Sequence, residues 1–162
     1  MNILNQYSYV LIAAGAIASI YWLLRIQLRV RLPIVMTMQG TVIAVFILGF
    51  ILLRPGAGNV DDVQTSLDAI DNGKPTFLAF FSNYCTGCIA FQPIVESITA
   101  EYSPEYNILR VDIHTQVGRD LREIYDFSFT PEFILFNTNG EEIWRDHIPP
   151  SSQQLQQAQT TN

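Results

Sequence analysis

Cys85 and Cys88 are the only two thiols in this 162-residue chain, and they stand three apart in Tyr84-Cys85-Thr86-Gly87-Cys88. They follow an apolar run, Thr76-Phe77-Leu78-Ala79-Phe80-Phe81, that reads as a strand covered on both faces, and they precede a helical pattern. A thiol at a helix N-terminus meets backbone N–H groups and the positive end of the helix dipole, which stabilise its thiolate. The second thiol, one turn later, is within reach to close a disulfide. The pair reads as a redox site. A permanent structural disulfide is the plainer alternative, but this spacing at a helix start makes a strained, reducible bond. Zinc is another, since His114 and His147 complete a minimal set of four ligands. The histidine spacing fits no finger, so no metal and no cofactor are assigned, and each histidine reads as a surface or strand-end residue.

The surrounding pattern supplies elements to hold the pair. Val60, Val63, Leu67 and Ile70 recur at helical spacing, and Asn72-Gly73 with Pro75 stops that helix. A helix over residues 85–102 would bury Ile89, Phe91, Ile94, Val95 and Ile98, with Pro93 inside it, where proline costs about 3 kcal/mol. Residues 107–113 and 132–136 read as strands, and residues 117–125 as a helix. A hairpin turn at Asn137-Thr138-Asn139-Gly140 returns through residues 142–147. After Pro149-Pro150 only Leu155 and Ala158 offer apolar anchors, which fits a short helix or a loose tail over residues 149–162. The order is that of an α/β domain whose first two strands run parallel through a crossover helix.

Charge divides the chain. Residues 1–54 hold Arg25, Arg29, Arg31 and Arg54 and no acid, whereas residues 55–162 hold 15 acids against five basic residues, so that segment carries −10. That sign argues against nucleic acid as a partner. Residues 33–53 are uncharged and about 31 Å long as a helix, enough to cross a bilayer core. Residues 7–24 are also uncharged and about 27 Å long, with Tyr7 and Tyr9 at one end and Tyr21 and Trp22 at the other, as in an interfacial belt. A signal peptide would need a basic start, and residues 1–8 contain no Lys or Arg. The two segments therefore read as a transmembrane hairpin in the lipid bilayer, forming an anchor over residues 1–54. Ala14, Gly15, Ala18 and Ser19 offer a small-residue face for helix approach. The three arginines between the segments set the turn on the cytoplasmic side by the positive-inside rule. Both termini, and the acidic domain, would then lie on the extracytoplasmic (periplasmic or lumenal) side. Residues 55–59, Pro-Gly-Ala-Gly-Asn, read as a linker, and residues 60–148 as the folded domain.

Several of these positions together resemble the thioredoxin superfamily. Tyr84 and Cys85-Thr86-Gly87-Cys88 match its aromatic residue and Cys-x-x-Cys. Pro93 matches the proline of its active-site helix, and Lys74-Pro75-Thr76 the lead into its central strand. Thr130-Pro131 matches its cis-proline, and Asn139-Gly140-Glu141 its hairpin turn. The resemblance implies a thioredoxin fold, a central mixed sheet flanked by helices, and thiol–disulfide oxidoreductase activity. It implies that Tyr84, Thr86, Gly87, Thr130 and Pro131 shape the site and bind substrate. Two departures stand out. Ala79 occupies the position where the family often has a buried acid that deprotonates the second thiol, and Arg110 stands where a lysine usually pairs with that acid. With the acid absent, water or Glu132 beside Pro131 is left as proton acceptor, and Arg110 needs another partner or solvent.

The expected function is a membrane-anchored oxidoreductase acting on extracytoplasmic proteins, with apocytochrome c the client class that the resemblance suggests. Cys85 would attack and Cys88 would resolve. The Thr-Gly dipeptide lacks the histidine of strong oxidants, which leans the site toward reduction. Neither apolar segment contains Cys or His, so electrons must come from a separate membrane redox partner. The alternative is a non-catalytic thioredoxin-fold module that holds a client or assembles a membrane complex.

Overall fold

The computed structural model describes residues 3–160; residues 1–2 and 161–162, the last of which belong to the expected tail, lie outside it. In chain order the elements begin with α1 (Ile3–Gln6), α2 (Ser8–Trp22) continued by a π-helical turn (Leu23–Gln27), and α3 (Leu32–Leu53). The domain follows as α4 (Val63–Ile70), β1 (Thr76–Phe81), α5 (Thr86–Tyr102), β2 (Asn107–Asp112), α6 (Gln116–Ile124), β3 (Glu132–Phe136), β4 (Glu142–Asp146) and α7 (Ser152–Thr160).

The four strands form one sheet in the order β2-β1-β3-β4, a thioredoxin fold. β1 runs parallel to β2 and antiparallel to β3, and β3 and β4 form an antiparallel hairpin. Because β1 is paired on both sides and covered on both faces, all six of its residues are buried. Alternation along β1 and β3 divides the core. Phe77, Ala79, Phe133 and Leu135 face Val95, Ile98 and Tyr102 of α5 and Leu155 of α7. Leu78, Phe80, Ile134 and Phe136 face Ile70 of α4 and Leu121 of α6 on the other side.

Local chemistry explains the element ends. Asp62 caps α4 by accepting from Thr65 N at 2.8 Å, so that helix begins at Val63, and Val60 packs against the core from outside it. Thr115 caps α6 in the same way. Gly140 takes φ +75°, and a Cβ there would lie 2.3 Å from Asp71 Oδ1, so the hairpin turn needs glycine for both reasons. Ile94 does not join the core as its helical spacing suggested. It is exposed, because Pro93 and Ile94 fall on the outer side of α5. Residues beyond Pro150 are helical, with Leu155 and Ala158 buried and the Tyr106 hydroxyl donating to the Leu155 carbonyl.

Residues 8–27 and 32–53 are each long and apolar enough to cross a membrane. Their side chains point outward, among them Val10, Leu11, Ile34, Met36, Val45 and Leu52, and only Val35 is buried. An apolar surface that continuous is one that water disfavours and lipid does not. The π-helical turn carries the first helix through Arg25, past the end that the charge pattern suggested. The two helices are tied by Gln39 Nε2 donating to Ile17 O at 2.8 Å and Tyr9 OH donating to Phe46 O at 2.6 Å. The small-residue face does not make this contact. Gly15 opens onto free space, whereas Gly49 is the glycine that gives room, its absent Cβ falling 3.2 Å from Tyr9 OH.

Residues 55–59 are not slack. Asn59 N donates to Arg110 O at 3.0 Å, and its Oδ1 accepts from Arg110 N at 2.7 Å, so the segment lies along the outer edge of β2. Gly58 permits this, since a Cβ there would meet Arg110 O at 2.5 Å. Asn83 brackets Gly56 with two further bonds, 2.8 and 2.9 Å. The helical hairpin is thereby fixed to the loop that carries the cysteines. Because α7 completes the core through Leu155, Leu155→Ala is expected to cost about 2–5 kcal/mol in denaturant unfolding. Exposed Gln153→Ala on the same helix should change it by less than about 0.5 kcal/mol.

Candidate active site

β1 ends at Phe81, and Ser82, Asn83 and Tyr84 turn the chain so that Cys85 becomes the N-cap of α5. Its extended backbone (φ −93°, ψ 120°) leaves the sulfur beside the first turn of the helix. Both cysteines are free thiols, and both are buried. The Cys85 thiol lies 3.6 Å from the carbonyl oxygen of Thr130, which precedes the cis-proline Pro131. Pro131 in turn packs on Gly87, where a Cβ would fall 3.2 Å from its Cδ. Cys88 accepts from Ser82 N at 3.5 Å. The structure thus brings Cys85, Gly87, Cys88, Thr130 and Pro131 into one cluster.

The two thiols are driven apart in acidity. The hydrogen bond from the Cys88 thiol is the largest influence on Cys85 and lowers its pKa to about 6, against the opposing effect of burial. The N–H groups of Cys88 and Gly87 lower it further. Cys88 is pushed strongly up, first by burial and then by donating to, and sitting beside, the Cys85 sulfur. One thiol is therefore a thiolate at neutral pH and its neighbour a proton-bearing reserve. That asymmetry suits a nucleophile followed by a resolving thiol.

A thioredoxin family model matches residues 61–158, which takes in the whole sheet, the Cys-x-x-Cys loop and most of α7. The chain belongs to the thioredoxin family. Among relatives, the thiol:disulfide interchange protein TxlA homolog of Synechocystis sp. is 31% identical over 77 residues, 46% of this chain and 42% of that protein. Thioredoxin C-2 of Corynebacterium nephridii is 26% identical over 85 residues, 52% of this chain and 76% of the relative. The chloroplastic thioredoxin-like protein HCF164 of Arabidopsis thaliana is 28% identical over 76 residues, 46% of this chain and 29% of its own length. The chain thus spans less than half the length of the first and third of these. Among solved structures, oxidized thioredoxin O2 from Arabidopsis thaliana aligns with a TM-score of 0.48 at 19% identity, over 58% of this chain and 80% of that one.

Against the thioredoxin pattern, the departures have physical consequences here. Ala79, Cys88, Gln92 and Arg110 line a cavity of about 10 Å³ beneath the second cysteine. That is at the lower limit of roughly 10–15 Å³ for one water, in the space that a longer acidic side chain at position 79 would enter. Arg110 has found other partners. It donates to Pro55 O at 2.8 Å and Gln92 Oε1 at 3.2 Å and lies over the Phe81 ring at 5.5 Å. Burial pulls its pKa down, and Glu96 partly restores it.

Glu132 does not take the acid's place. It pairs in register with Phe80, so its side chain points to the face of the sheet opposite α5 and Cys88. There it is buried, accepting from Ser128 Oγ at 2.9 Å and lying 3.5 Å from Arg145 Nη1. Tyr84 remains exposed beside Cys85 and has partners of its own. It stacks between Phe50 of α3 (5.7 Å, 12°) and Tyr7 (5.6 Å, 26°). Thr86 is engaged too, its N–H donating to Ser8 Oγ at 2.9 Å. Of the histidines, His114 stands 2.9 Å from Ser82 Oγ, and His147 Nδ1 lies 2.8 Å from Pro131 O. Among the described residues no cluster of three or more His, Cys, Asp or Glu is placed to hold a metal.

Asn5, Ser8, Ser82 and His114 are site neighbours that sequence reasoning missed. Only the polar run Asn5-Gln6-Tyr7-Ser8 ahead of an apolar segment hinted that something other than lipid meets that end.

Thiolate absorbance at 240 nm, followed against pH in the reduced chain, should report one group with a midpoint near 6. Cys88→Ala removes the largest stabilising contact and should move that midpoint up by about one unit or more, toward the free-thiol value of about 8.5. Cys88→Ser retains a hydroxyl donor and should move it less.

Proposed function

We propose that this chain is a membrane-anchored thiol–disulfide oxidoreductase that reduces disulfides in extracytoplasmic proteins. The observation that carries this is the placement of the two thiols, Cys85 at the N-cap of α5 and 3.6 Å from the Thr130 carbonyl beside cis-Pro131, with Cys88 buried one turn on, which drives their acidities apart. The Cys85 thiolate attacks one sulfur of a client disulfide; the client S–S bond breaks, and the departing client sulfur takes up a proton. Cys88 then loses its proton and attacks Cys85, closing Cys85–Cys88 and releasing the second client thiol. Two electrons pass from the site to the client, and of the two protons on the released client thiols one is that lost by Cys88 and the other comes from solvent. With Ala79 in place of an acid, deprotonation of Cys88 is the demanding step, and the cavity beside it is where a water can take that proton.

The reducing direction is supported by the Cys85 pKa of about 6, nearer to roughly 7 in thioredoxin than to roughly 3.5 in the strong oxidant DsbA. A membrane location is supported by the outward apolar faces of the two long helices. Sidedness is supported by Arg25, Arg29 and Arg31 at the hairpin turn and by contacts that hold the N-terminal end of α2 against the domain. A separate membrane thiol partner supplies the electrons, since neither span contains Cys or His.

Reductase turnover by the full chain in detergent, on a protein disulfide with dithiothreitol as the electron source, tests the chemistry. Cys85→Ser should bring turnover to background, whereas retained turnover would remove Cys85 from its role. A membrane-impermeant maleimide applied to intact cells tests direction and side together. Labelling of Cys85 without permeabilisation, slower than in the urea-unfolded chain because the thiol is buried, is expected; labelling only after permeabilisation would reverse the topology, and labelling only after added reductant would reverse the direction.

A further inference from the structure

The space in front of Cys85, where a client disulfide must arrive, is filled by this chain's own N-terminus. Asn5 Nδ2 donates to the Thr130 carbonyl, the same oxygen that lies 3.6 Å from Cys85 Sγ. Ser82 Oγ donates to Gln6 O at 3.1 Å, and Gln6 itself is buried. Tyr7 covers Tyr84 and His114, with ring centroids 5.6 and 5.4 Å away. Two further bonds are reciprocal. Ser8 Oγ accepts from Thr86 N at 2.9 Å and so caps α5, while Tyr9 N donates to Tyr84 O at 3.0 Å and so caps α2. Ser8 of α2 thus satisfies an orphan N–H of α5, and the loop leading into α5 satisfies one of α2. Under this cover Cys85 has 0% of its surface exposed. A disulfide exchange step needs the client sulfur in contact with the attacking one, so the site as described is closed.

We propose that residues 3–9 form an autoinhibitory strap over Cys85, and that a client disulfide reaches the thiolate only when the strap lifts. The strap is built to move as a unit with the hairpin. It runs directly into α2, and Tyr9 ties it to α3 through Phe46 O and the space left by Gly49. The closed position also carries a cost of its own. Gln6 Nε2 is buried without a hydrogen-bond partner, and leaving such a donor unsatisfied disfavours the state that buries it. A shift of α2 against α3, of the kind a membrane partner docking on the hairpin would impose, therefore acts directly on access to the thiol. This deepens the oxidoreductase reading and rests on Cys85 being the attacking thiol.

The test is iodoacetamide alkylation of the full reduced chain in detergent, with mass spectrometry to assign adducts to Cys85 or Cys88. The double variant Asn5→Ala/Ser8→Ala removes one bond to Thr130 and the cap on Thr86. It is expected to alkylate at Cys85 at least about ten-fold faster than the native chain, while Cys88 stays protected in both. Equal rates would overturn the strap. Should the double variant lose its fold, shown by Cys88 reacting as well, the native chain decides. At pH 9.5 its Cys85 should react at least about ten-fold more slowly than the urea-unfolded chain, and an equal or faster rate would overturn the proposal. All rates are read at pH 9.5, where Cys85 is ionised throughout and alkylation reports access, so failure of the exchange reading appears separately, as unchanged turnover in Cys85→Ser.

Discussion

A single constraint, the placement of the Cys88 thiol beside the Cys85 sulfur at the start of α5, sets the chemistry, and the surrounding fold maintains that placement. It requires the two residues to sit on one turn of a helix with the first at its N-cap, so that backbone N–H groups add to the same stabilisation. It requires the second thiol to be shielded from water, which the buried end of β1 and the packing of Pro131 on Gly87 provide. A single strand paired on both sides supplies the rigid base. The thiol loop springs from the end of β1, and Thr130-Pro131 leads into β3 beside it. Both halves of the site are therefore positioned by one hydrogen-bonded register.

The second organising feature is how closely the helical hairpin is joined to that register. Segment 55–59 is bonded along β2, Asn83 holds Gly56, and Tyr84 stacks on Phe50 at the end of α3. Ser8 and Tyr9 complete the connection from the other helix. A tethered thioredoxin on a slack linker would sample many orientations, with its site facing any client. Here the hairpin and the site share hydrogen bonds and ring contacts, so the orientation of one constrains the access of the other. Arg110 belongs to this joint as well: bonding to Pro55 O, it uses the absence of an acid at position 79 to anchor the chain leaving α3.

Much of the domain was legible from sequence because its signals are local. Alternating and continuous apolar runs gave the strands, and Asn72-Gly73, Asn139-Gly140 and the two prolines Pro93 and Pro131 marked turns and the site. The structure brings Thr130-Pro131 and Cys85-x-x-Cys88 side by side. The failures were non-local. Glu132 is adjacent to Pro131 in sequence, yet strand alternation turns it to the far face of the sheet, where Arg145 and Ser128 hold it. Tyr84 stays exposed, but the sequence gives no sign that Phe50 and Tyr7 stack on it. The breaker composition of 55–59 indicates irregular backbone, which it has, but composition cannot show that Asn59 and Gly58 fit the edge of β2. Cover over Cys85 by Asn5 and Ser8 links residues about eighty or more positions apart, and no periodicity reports such a contact.

The central claim is that Cys85 is the sulfur that meets the client and Cys88 the one that releases it. The most direct measurement is mass-spectrometric mapping of disulfides formed in native membranes by the full chain carrying Cys88→Ala. The account expects client proteins to accumulate in mixed disulfides through Cys85, with none accumulating in the unaltered chain, where Cys88 resolves them. Absence of any adduct at Cys85 in that variant, with the thiol still reduced and the protein folded, would contradict it.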